Sequence, residues 1–365
     1  MALVVMAEGK AKYVFYFIGD GMGVNQVNGT ETYMAAVEGR IGTSPLCFAQ
    51  FPYVGLVTTY SGTNGVTDSA AGGTALATGN KTKNGALGIK SDLTTRINSI
   101  AALATVLKVC ADEELSWFVS GKGSNLLVSD EGYPGVVIAL AGEFRAWQFD
   151  EEEGTVVVGA GTMLSRLVQE AFHHGFSGME FAVGTPGTVG GALVQNAGTA
   201  QDWIGSRVVS VTTFNAERGL RRYFASELSW GYRSSSFSSD EVIVECELRL
   251  QKAFSSAVSE RMNSLLSRRK ESQPLEYPTC GSVFMNPEGE SVGKLIEDAG
   301  LKGKRCGDAQ VSEKHANFIV NRGSATSQDV ATLIKEVRQE VRRRYGIELQ
   351  TEVKFLGFPG DFFEE

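Results

Sequence analysis

A glycine-rich stretch near the middle of the chain has the composition of a loop that binds phosphate through its backbone. Residues 184–198, the central glycine loop, read G-T-P-G-T-V-G-G-A-L-V-Q-N-A-G, with five glycines, two threonines and one proline. Glycines leave room for backbone N–H groups to approach a ligand closely and to surround an anion. A tight turn without a ligand has the same composition, so this stretch alone leaves a pyrophosphate site and a structural turn equally open.

A second loop of small residues favours the ligand-binding interpretation. Residues 121–125, the first glycine loop, read G-K-G-S-N and precede the strand-like Leu126–Val128. Two such loops, each attached to a β-like run, suit a long ligand with two phosphates, such as a dinucleotide. The candidate cofactor-binding residues are Gly121, Gly123, Ser124, Asn125, Gly184, Thr185, Pro186, Gly187, Gly190, Gly191, Asn196, Ala197 and Gly198.

Near the N-terminus, an aspartate and a serine occupy positions typical of a metal ligand and of a nucleophile. The run Y-V-F-Y-F-I at 13–18 predicts a buried strand that leads directly into the glycine-flanked Asp20. Ser69 begins an alanine-rich helix in V-T-D-S-A-A-G-G-T-A, where the helix N–H groups stabilise an anion. With F-I-G-D-G-M-G and K-T-K-N-G-A-L-G, these motifs resemble the alkaline phosphatase family over residues 12–102. The resemblance implies that Asp20 is a metal ligand and that Ser69 is the phosphorylated nucleophile.

The remaining ligands of a two-metal phosphatase are missing from the sequence. Such a site needs several more histidine and aspartate ligands. The chain has only three histidines, and none stands in an Asp-His or His-x-His arrangement: His173, His174 and His315. We therefore expect Asp20 and Ser69 to be remnants without turnover, and we expect the protein to bind neither zinc nor magnesium. His315 is predicted to be structural, and His173 and His174 to end a helix.

Composition excludes several classes of protein. The chain has 365 residues, enough for two or three domains, and is 42% hydrophobic and 21% charged, as is ordinary for a globular protein. A net charge of −8 argues against nucleic acid as a partner. Five cysteines without a C-x-x-C pair indicate a reducing compartment, and no apolar run is long enough to span a bilayer. Residues 1–7 lack the features of a complete signal peptide, so we expect a cytoplasmic protein.

Hydrophobic periodicity predicts the elements that hold the two glycine loops. The predicted strands are Trp117–Val119, Val136–Leu140, Thr155–Gly159, Val208–Phe214, Glu241–Leu250 and Glu352–Leu356. The predicted helices are Ser99–Val109, Met163–Gly175, Ser259–Lys270, Val292–Ala299 and Gln328–Tyr345.

A second resemblance rests on six motifs that follow one another in order. They are G-K-G-S-N-L-L-V-S-D at 121–130, the central glycine loop, Y-R-S-S-S-F at 232–237, G-S-V-F-M-N-P at 281–287, A-Q-V-S-E-K-H-A-N-F-I-V-N at 309–321 and E-V-K-F-L-G at 352–357. Over about 103–360 the chain resembles the UDP-N-acetylenolpyruvoylglucosamine reductase family. The resemblance implies a flavoprotein oxidoreductase of peptidoglycan precursor synthesis, and hence a role in cell wall biogenesis, cell shape and cell division. FAD would lie in the two glycine loops, NADPH would supply electrons, and the substrate would be the enolpyruvyl double bond of a UDP-sugar.

The same resemblance implies roles for four further residues. Hydride addition to the double bond develops negative charge beside the substrate carboxylate. Arg233 would stabilise that charge, Ser282 would donate the proton, and Glu352 would assist the serine. Asn286 would lie near the substrate.

Together the two resemblances predict the fold class and its division. We expect an alkaline-phosphatase-like α/β fragment at 1–102, which is incomplete. A two-lobed FAD-binding region of the PCMH type would follow at 103–251, with its first lobe truncated. A C-terminal α+β substrate-binding domain would occupy 252–365. The oligomeric state is not predicted, and no nicotinamide-specific motif separates NADPH from NADH.

Three departures from the reductase family keep alternatives open. The family's initial T-x-x-x-x-G-G-P-A segment is absent, and the phosphatase-like fragment stands in its place. Met285 occupies a position where a basic residue is common, and Asp308 replaces a glycine. The alternatives are a metal-dependent phosphomonoesterase centred on Asp20 and Ser69, and an inactive fusion of two truncated enzymes.

Overall fold

The computed structural model describes residues 33–39, 95–360 and 362. By its internal contacts the chain divides into two compact units, Met1–Thr95 and Arg96–Glu365. The fold of the second unit positions the candidate site.

Little of the first unit belongs to the described residues. Residues 33–37 form a short helix that ends in a turn. The predicted strand at 13–18, and the motifs that carry Asp20 and Ser69, lie outside the described part of the chain.

From residue 95 onward, the described residues form α-helices separated by one to six consecutive strands. The helices are α1 (Ile100–Asp112), α2 (Leu164–His173), α3 (Val189–Val194), α4 (Ser255–Ser272), α5 (Val292–Asp298) and α6 (Ser327–Tyr345). The first nine strands are β1 (Thr95–Ile97), β2 (Trp117–Val119), β3 (Leu126–Val128), β4 (Val136–Leu140), β5 (Trp147–Asp150), β6 (Thr155–Gly159), β7 (Phe176–Ser177), β8 (Val208–Asn215) and β9 (Gly219–Phe224). The others are β10 (Trp230–Gly231), β11 (Ser234–Ser235), β12 (Val242–Arg249), β13 (Gln251–Lys252), β14 (Thr279–Ser282), β15 (Arg305–Cys306), β16 (Ala309–Val311), β17 (Phe318–Asn321) and β18 (Lys354–Leu356).

These strands form sheets of both kinds. An antiparallel sheet has the order β5-β6-β12-β8-β9, and a second antiparallel sheet has the order β14-β17-β16-β15. A smaller sheet has the order β1-β4-β2, in which β2 and β4 run parallel. Near the end of the chain, β18 pairs in parallel with β3. The segment that carries Glu352 therefore returns to the strand that follows the first glycine loop.

The helices begin and end where the local sequence requires. The Ser99 hydroxyl accepts a hydrogen bond from the Ala102 N–H at 3.2 Å and caps α1, as the predicted helix start requires. Thr326 and Asp329 form a reciprocal capping box at the start of α6, and that helix ends at Gly346, where φ is +71°. The predicted helix at 259–270 begins four residues earlier, at Ser255, and its first turn includes the buried Val258. The prediction missed this turn because a single apolar contact gives no helical period.

Two buried clusters form the hydrophobic interior. The first joins α1, α2 and α3 to the β5-β6-β12-β8-β9 sheet, and Leu103 and Leu193 are fully buried in it. The second joins α5 and α6 to the β14-β17-β16-β15 sheet around Phe284 and Ile334. Burial of each such side chain contributes about 1.5–3 kcal/mol. The described part of the chain is thus a mixed α/β and α+β fold, as predicted.

The predicted last strand is wrong at its start. Glu352 lies before β18 rather than within it, because the chain changes pairing partner at this point. The Glu352 N–H donates to Val283 O at 2.8 Å, whereas the Lys354 N–H donates to Asn125 O at 3.0 Å. Glu352 consequently lies between the residues that follow Ser282 and the first glycine loop.

Within the described residues, no helix combines the length and the apolar character that crossing a membrane requires.

Candidate active site

The two glycine loops lie against each other. A Cβ atom built on Gly121 would lie 2.5 Å from Thr188 Oγ1, so only glycine permits this close approach. A Cβ atom built on Gly187 would lie 3.4 Å from Ser124 Oγ. The structure therefore brings together the first glycine loop, between β2 and β3, and the start of the central glycine loop, before α3.

The junction of the two loops carries a group of backbone N–H donors. The N–H groups of residues 122–125 and of Gly187 donate to no acceptor in the described part of the chain. Gly184 and Pro186 are exposed nearby on the central loop. Adjacent backbone N–H groups without an internal acceptor form the kind of concave site that holds a phosphate group. These donors therefore fit the predicted dinucleotide.

The second half of the central loop uses its polar groups to hold its own shape. The Gly190 N–H donates to Ala160 O at 2.8 Å. The buried Asn196 donates from Nδ2 to Gly231 O at 2.9 Å, and its Oδ1 accepts from the Gly205 N–H at 3.2 Å. The Gly191 N–H donates to Thr188 Oγ1 and the Ala197 N–H donates to Ala192 O, so these two amides also bond within the loop. Of these residues, Asn196 connects the loop through Gly231 to the β10–β11 hairpin, which carries the next candidate.

Arg233 is held in an unusual backbone conformation at the tip of that hairpin. Its φ is +54°, a value that costs a residue with a side chain roughly 1–3 kcal/mol. The Arg233 Nε donates to Glu352 Oε1 at 2.8 Å, and Nη1 donates to Gly198 O at 3.1 Å. The arginine thus joins the end of the central loop to the predicted catalytic carboxylate.

The Arg233–Glu352 pair is shielded from solvent. The two side chains are 23% and 14% exposed, respectively. Burial raises the pKa of the Glu352 carboxyl above its usual range, and the charge and hydrogen bond of Arg233 only partly oppose this shift. The pair can therefore present a permanent cation beside a carboxyl group that retains its proton more readily than usual.

Glu352→Gln is expected to gain stability relative to the wild type as the pH rises. The raised pKa means that the unfolded chain releases this proton at a lower pH than the folded chain does. Wild-type stability therefore falls as the pH rises from the ordinary glutamate pKa through the raised one, whereas glutamine does not titrate. The measurement is the free energy of unfolding in urea at pH values from about 4 to 8.

The control for this titration is Glu288→Gln, at an exposed glutamate in the same domain. Its free energy of unfolding, measured over the same pH range, is the reference against which the Glu352→Gln series is compared. If the free energy of unfolding of Glu352→Gln stays constant or falls relative to that of the wild type as the pH rises, the prediction is contradicted.

Ser282 ends β14 beside the first glycine loop. A Cβ atom built on the preceding Gly281 would lie 3.4 Å from Ser124 O. The pairing of β14 with β17 shifts register between Thr279 and Ser282, which marks a local irregularity in the strand. Since Glu352 bonds to the carbonyl of Val283, the serine and the carboxylate lie on directly paired segments.

Asn317 fixes the backbone that follows Ser282. Its buried side chain donates from Nδ2 to Phe284 O at 2.8 Å and accepts at Oδ1 from the Phe284 N–H at 2.9 Å. The Asn317 carbonyl also accepts from the Val283 N–H at 2.9 Å. Three hydrogen bonds from one residue therefore hold the serine-bearing segment rigid.

Asn286 lies on an exposed turn that reaches the β10–β11 hairpin. Its N–H donates to the Tyr232 hydroxyl oxygen at 3.4 Å, and its Oδ1 accepts from the Val292 N–H at 3.0 Å at the start of α5. The residue therefore contacts the neighbour of Arg233 in the hairpin, while its side-chain oxygen bonds to the helix. The side-chain N–H₂ group donates to no described acceptor.

The described histidines form contacts that support the fold. His315 Nδ1 accepts from the Asn317 N–H at 3.2 Å, its ring packs edge-on against Phe318, and burial lowers its pKa. His173 is the last residue of α2, as predicted. No group of three or more candidate metal ligands occurs among the described residues.

Sequence reasoning missed four residues that shape this site. Thr188 was visible within the central loop, and Tyr232 within a quoted motif, but neither type nor spacing assigned them a contact. Asn317 likewise stood within the quoted motif at 309–321 without an assigned contact. Arg269, whose Nη1 donates to Thr185 Oγ1, had no local signal because that partner is distant in sequence. Only the folded arrangement identifies them.

Models of three families match successive parts of the chain. The alkaline phosphatase model matches residues 11–109, and a FAD binding domain model matches residues 91–219. The model of the C-terminal domain of UDP-N-acetylenolpyruvoylglucosamine reductase matches residues 273–356. These matches confirm both predicted resemblances.

Individual relatives agree with the family models. UDP-N-acetylenolpyruvoylglucosamine reductase 2 of Symbiobacterium thermophilum is 45% identical over 256 residues, covering 70% of this chain and 82% of that protein. The reductase of Heliobacterium modesticaldum is 43% identical over 262 residues, covering 71% and 83%. The crystal structure of the Thermus caldophilus enzyme matches with a TM-score of 0.63 at 38% identity, covering 72% of this chain and 91% of that one.

Proposed function

Because the chain belongs to the UDP-N-acetylenolpyruvoylglucosamine reductase family, we propose that the geometry described above serves that family's reaction. The chain is a flavin-dependent oxidoreductase, and its reaction reduces UDP-N-acetylglucosamine enolpyruvate to UDP-N-acetylmuramate. The observation that carries the residue assignments is the shielded Arg233–Glu352 pair, which lies between the two glycine loops and the segment after Ser282. The reaction belongs to peptidoglycan synthesis.

The two glycine loops would hold the FAD. The N–H groups of residues 122–125 and of Gly187, which have no acceptor among the described residues, suit its pyrophosphate. The contact of Gly121 with Thr188 keeps the loops together. When bound, FAD supplies the hydride for the substrate double bond. We propose NADPH as the reductant that replenishes it.

The side chains around the loops would stabilise the negative charge that develops on the substrate and would donate the proton. Arg233 Nη2 donates to no acceptor in the described part of the chain, so it is free to bind the substrate carboxylate while Nε and Nη1 keep the arginine in place. Ser282 would give its hydroxyl proton to the carbon that gains negative charge, and Glu352 would assist the serine. Asn286 would contact the bound UDP-sugar from the neighbouring turn.

The proposed domains and location follow the same reasoning. We propose a phosphatase-like fragment at 1–102, a FAD-binding region at 103–251 and a substrate-binding domain at 252–365. Four cysteines are free thiols in the described part of the chain, which supports a reducing compartment such as the cytoplasm: Cys110, Cys246, Cys280 and Cys306.

Product mass and reductant consumption together test the proposed function. The protein, supplied with FAD, is incubated with the enolpyruvyl UDP-sugar and either NADPH or NADH. We expect a product heavier by two hydrogens, formed in step with NADPH oxidation. Absence of that product would favour the inactive fusion, and zinc-dependent hydrolysis of a phosphate monoester that Ser69→Ala abolishes would favour the phosphatase.

Gly187→Ala is expected to weaken FAD binding by about tenfold or more. Gly187 has a φ of +119°, so an alanine there would favour a different backbone conformation in the apoprotein, and returning its N–H to the position that binds FAD would cost roughly 1–3 kcal/mol. The FAD dissociation constant of the apoprotein is the measurement. Gly219→Ala is the control, because φ is +72° there and a Cβ atom would meet nothing within 4 Å. Equal FAD affinity in the two variants would contradict the prediction.

A further inference from the structure

Helix α4 is fixed to the FAD-binding region independently of its last turn. Val258 is buried, and Met262 packs against the first hydrophobic cluster. Arg261 forms an ion pair with Asp202, which lies shortly after the central glycine loop. The position of α4 therefore does not depend on any one contact near its C-terminal end.

That end of α4 contacts the turn that begins the central glycine loop. Arg269 Nη1 donates to Val183 O at 3.1 Å and also to Thr185 Oγ1. Between these two acceptors lies Gly184, and a Cβ atom built there would lie 3.1 Å from Leu266 Cδ1 and 3.6 Å from Arg269 Cδ. One guanidinium thus bonds to the turn on both sides of Gly184. Two residues after Thr185 comes Gly187, whose N–H has no acceptor among the described residues.

The same guanidinium adds positive charge to the site. Burial lowers the pKa of Arg269, and the charge of Arg233 lowers it further, so the two arginines repel each other. Among the described residues Glu352 is the one carboxylate paired with either of them. The Nη2 groups of both arginines donate to no described acceptor. Two mutually repelling cations, of which only Arg233 is paired with a carboxylate among the described residues, are stabilised when a further anion binds beside them.

We infer that Arg269 is a positioning residue for a bound diphosphate: it holds the Val183–Thr185 turn and supplies a second positive charge beside Arg233. This inference rests on the proposed function, since the diphosphate belongs to FAD. The UDP-sugar carries the same chemical group, so the test must separate the two sources.

Arg269→Gln is the primary variant, and the readout is the affinity of the apoprotein for FAD and for riboflavin, which lacks the diphosphate. We expect the FAD dissociation constant to rise about 10- to 100-fold, as for loss of hydrogen bonds from a charged group, and that of riboflavin to change less than about twofold. Arg269→Lys keeps the charge and should recover part of the affinity. Arg268→Gln, at the exposed neighbouring residue, is the matched control and should change neither constant.

Thr185→Val removes the hydrogen bond that Arg269 donates to the turn, without removing a charge. It should weaken FAD binding less than Arg269→Gln does, and the double variant should bind FAD no more weakly than Arg269→Gln alone, because both changes remove the same contact. Thermal denaturation of each apoprotein checks that the variants fold.

Three results would overturn the inference. The first is unchanged FAD affinity in Arg269→Gln, and the second is an equal loss for FAD and riboflavin. The third is a raised KM for the UDP-sugar with FAD affinity intact, which would assign the charge to the substrate diphosphate. A wild-type chain that binds no FAD would instead overturn the proposed function and the inference with it.

Discussion

Ser282→Ala is expected to lower kcat by about 10²- to 10⁴-fold, while reduction of the bound flavin by NADPH continues at the wild-type rate. A positioned proton donor contributes a factor of this size, and the hydroxyl is needed only when the substrate double bond accepts its proton. The serine lies on a segment that Asn317 holds with three hydrogen bonds, so removal of one oxygen should leave the backbone in place.

Stopped-flow absorbance separates the two halves of the reaction in the Ser282 variant. Bleaching of the flavin band by NADPH should match the wild type, and its return on addition of the enolpyruvyl UDP-sugar should slow by the predicted factor. Ser324→Ala, at an exposed serine of the same domain, should change neither rate. Equal slowing of both halves would indicate a disturbed flavin site and would contradict the assigned role.

Arg233→Met is expected to lower kcat/KM by about 10²- to 10³-fold, the usual cost of removing a group that stabilises developing negative charge. Arg233→Lys should also lose most activity, because the single ammonium nitrogen cannot occupy the separate positions from which Nε bonds to Glu352, Nη1 bonds to Gly198 and Nη2 would bind a carboxylate. The two variants together measure how much the guanidinium group contributes to kcat/KM, because methionine removes the charge and lysine keeps the charge without the guanidinium geometry.

The pH profile of Arg233→Met provides a second test. Burial already raises the pKa of Glu352, and Arg233 opposes this shift, so loss of the arginine should raise that pKa further. If ionised Glu352 assists the serine, the acid limb of kcat/KM should move to higher pH. Arg218→Met, at an arginine whose side chain is 54% exposed in a surface ion pair, is the control. Activity within about threefold of wild type in Arg233→Met would contradict the account.

Local sequence was sufficient to predict the main elements and the two loops. The apolar period of α1, the cap at Ser99 and the β-branched run of β6 each predict the observed element, because those signals act within a few residues. The composition of both glycine loops predicted a backbone cradle. That the loops touch, through Gly121 and Thr188, follows only from the fold.

Long-range pairing explains what the sequence could not predict. Glu352 lies outside β18 because its neighbours pair with two different segments, and no local pattern marks such a change of partner. Arg269 belongs to a polar, basic helix whose sequence predicts a solvated face. Its contact with Thr185 depends on how α4 packs across the FAD-binding region. The positive φ of Arg233 likewise has no signal in the residue type.

The most direct test of the central claim is the visible absorption spectrum of the purified protein after incubation with FAD and desalting. The account predicts a retained flavin band that NADPH bleaches and that the enolpyruvyl UDP-sugar restores. No retained flavin would contradict it, and would mean that the loops alone cannot hold the cofactor without the family's initial segment.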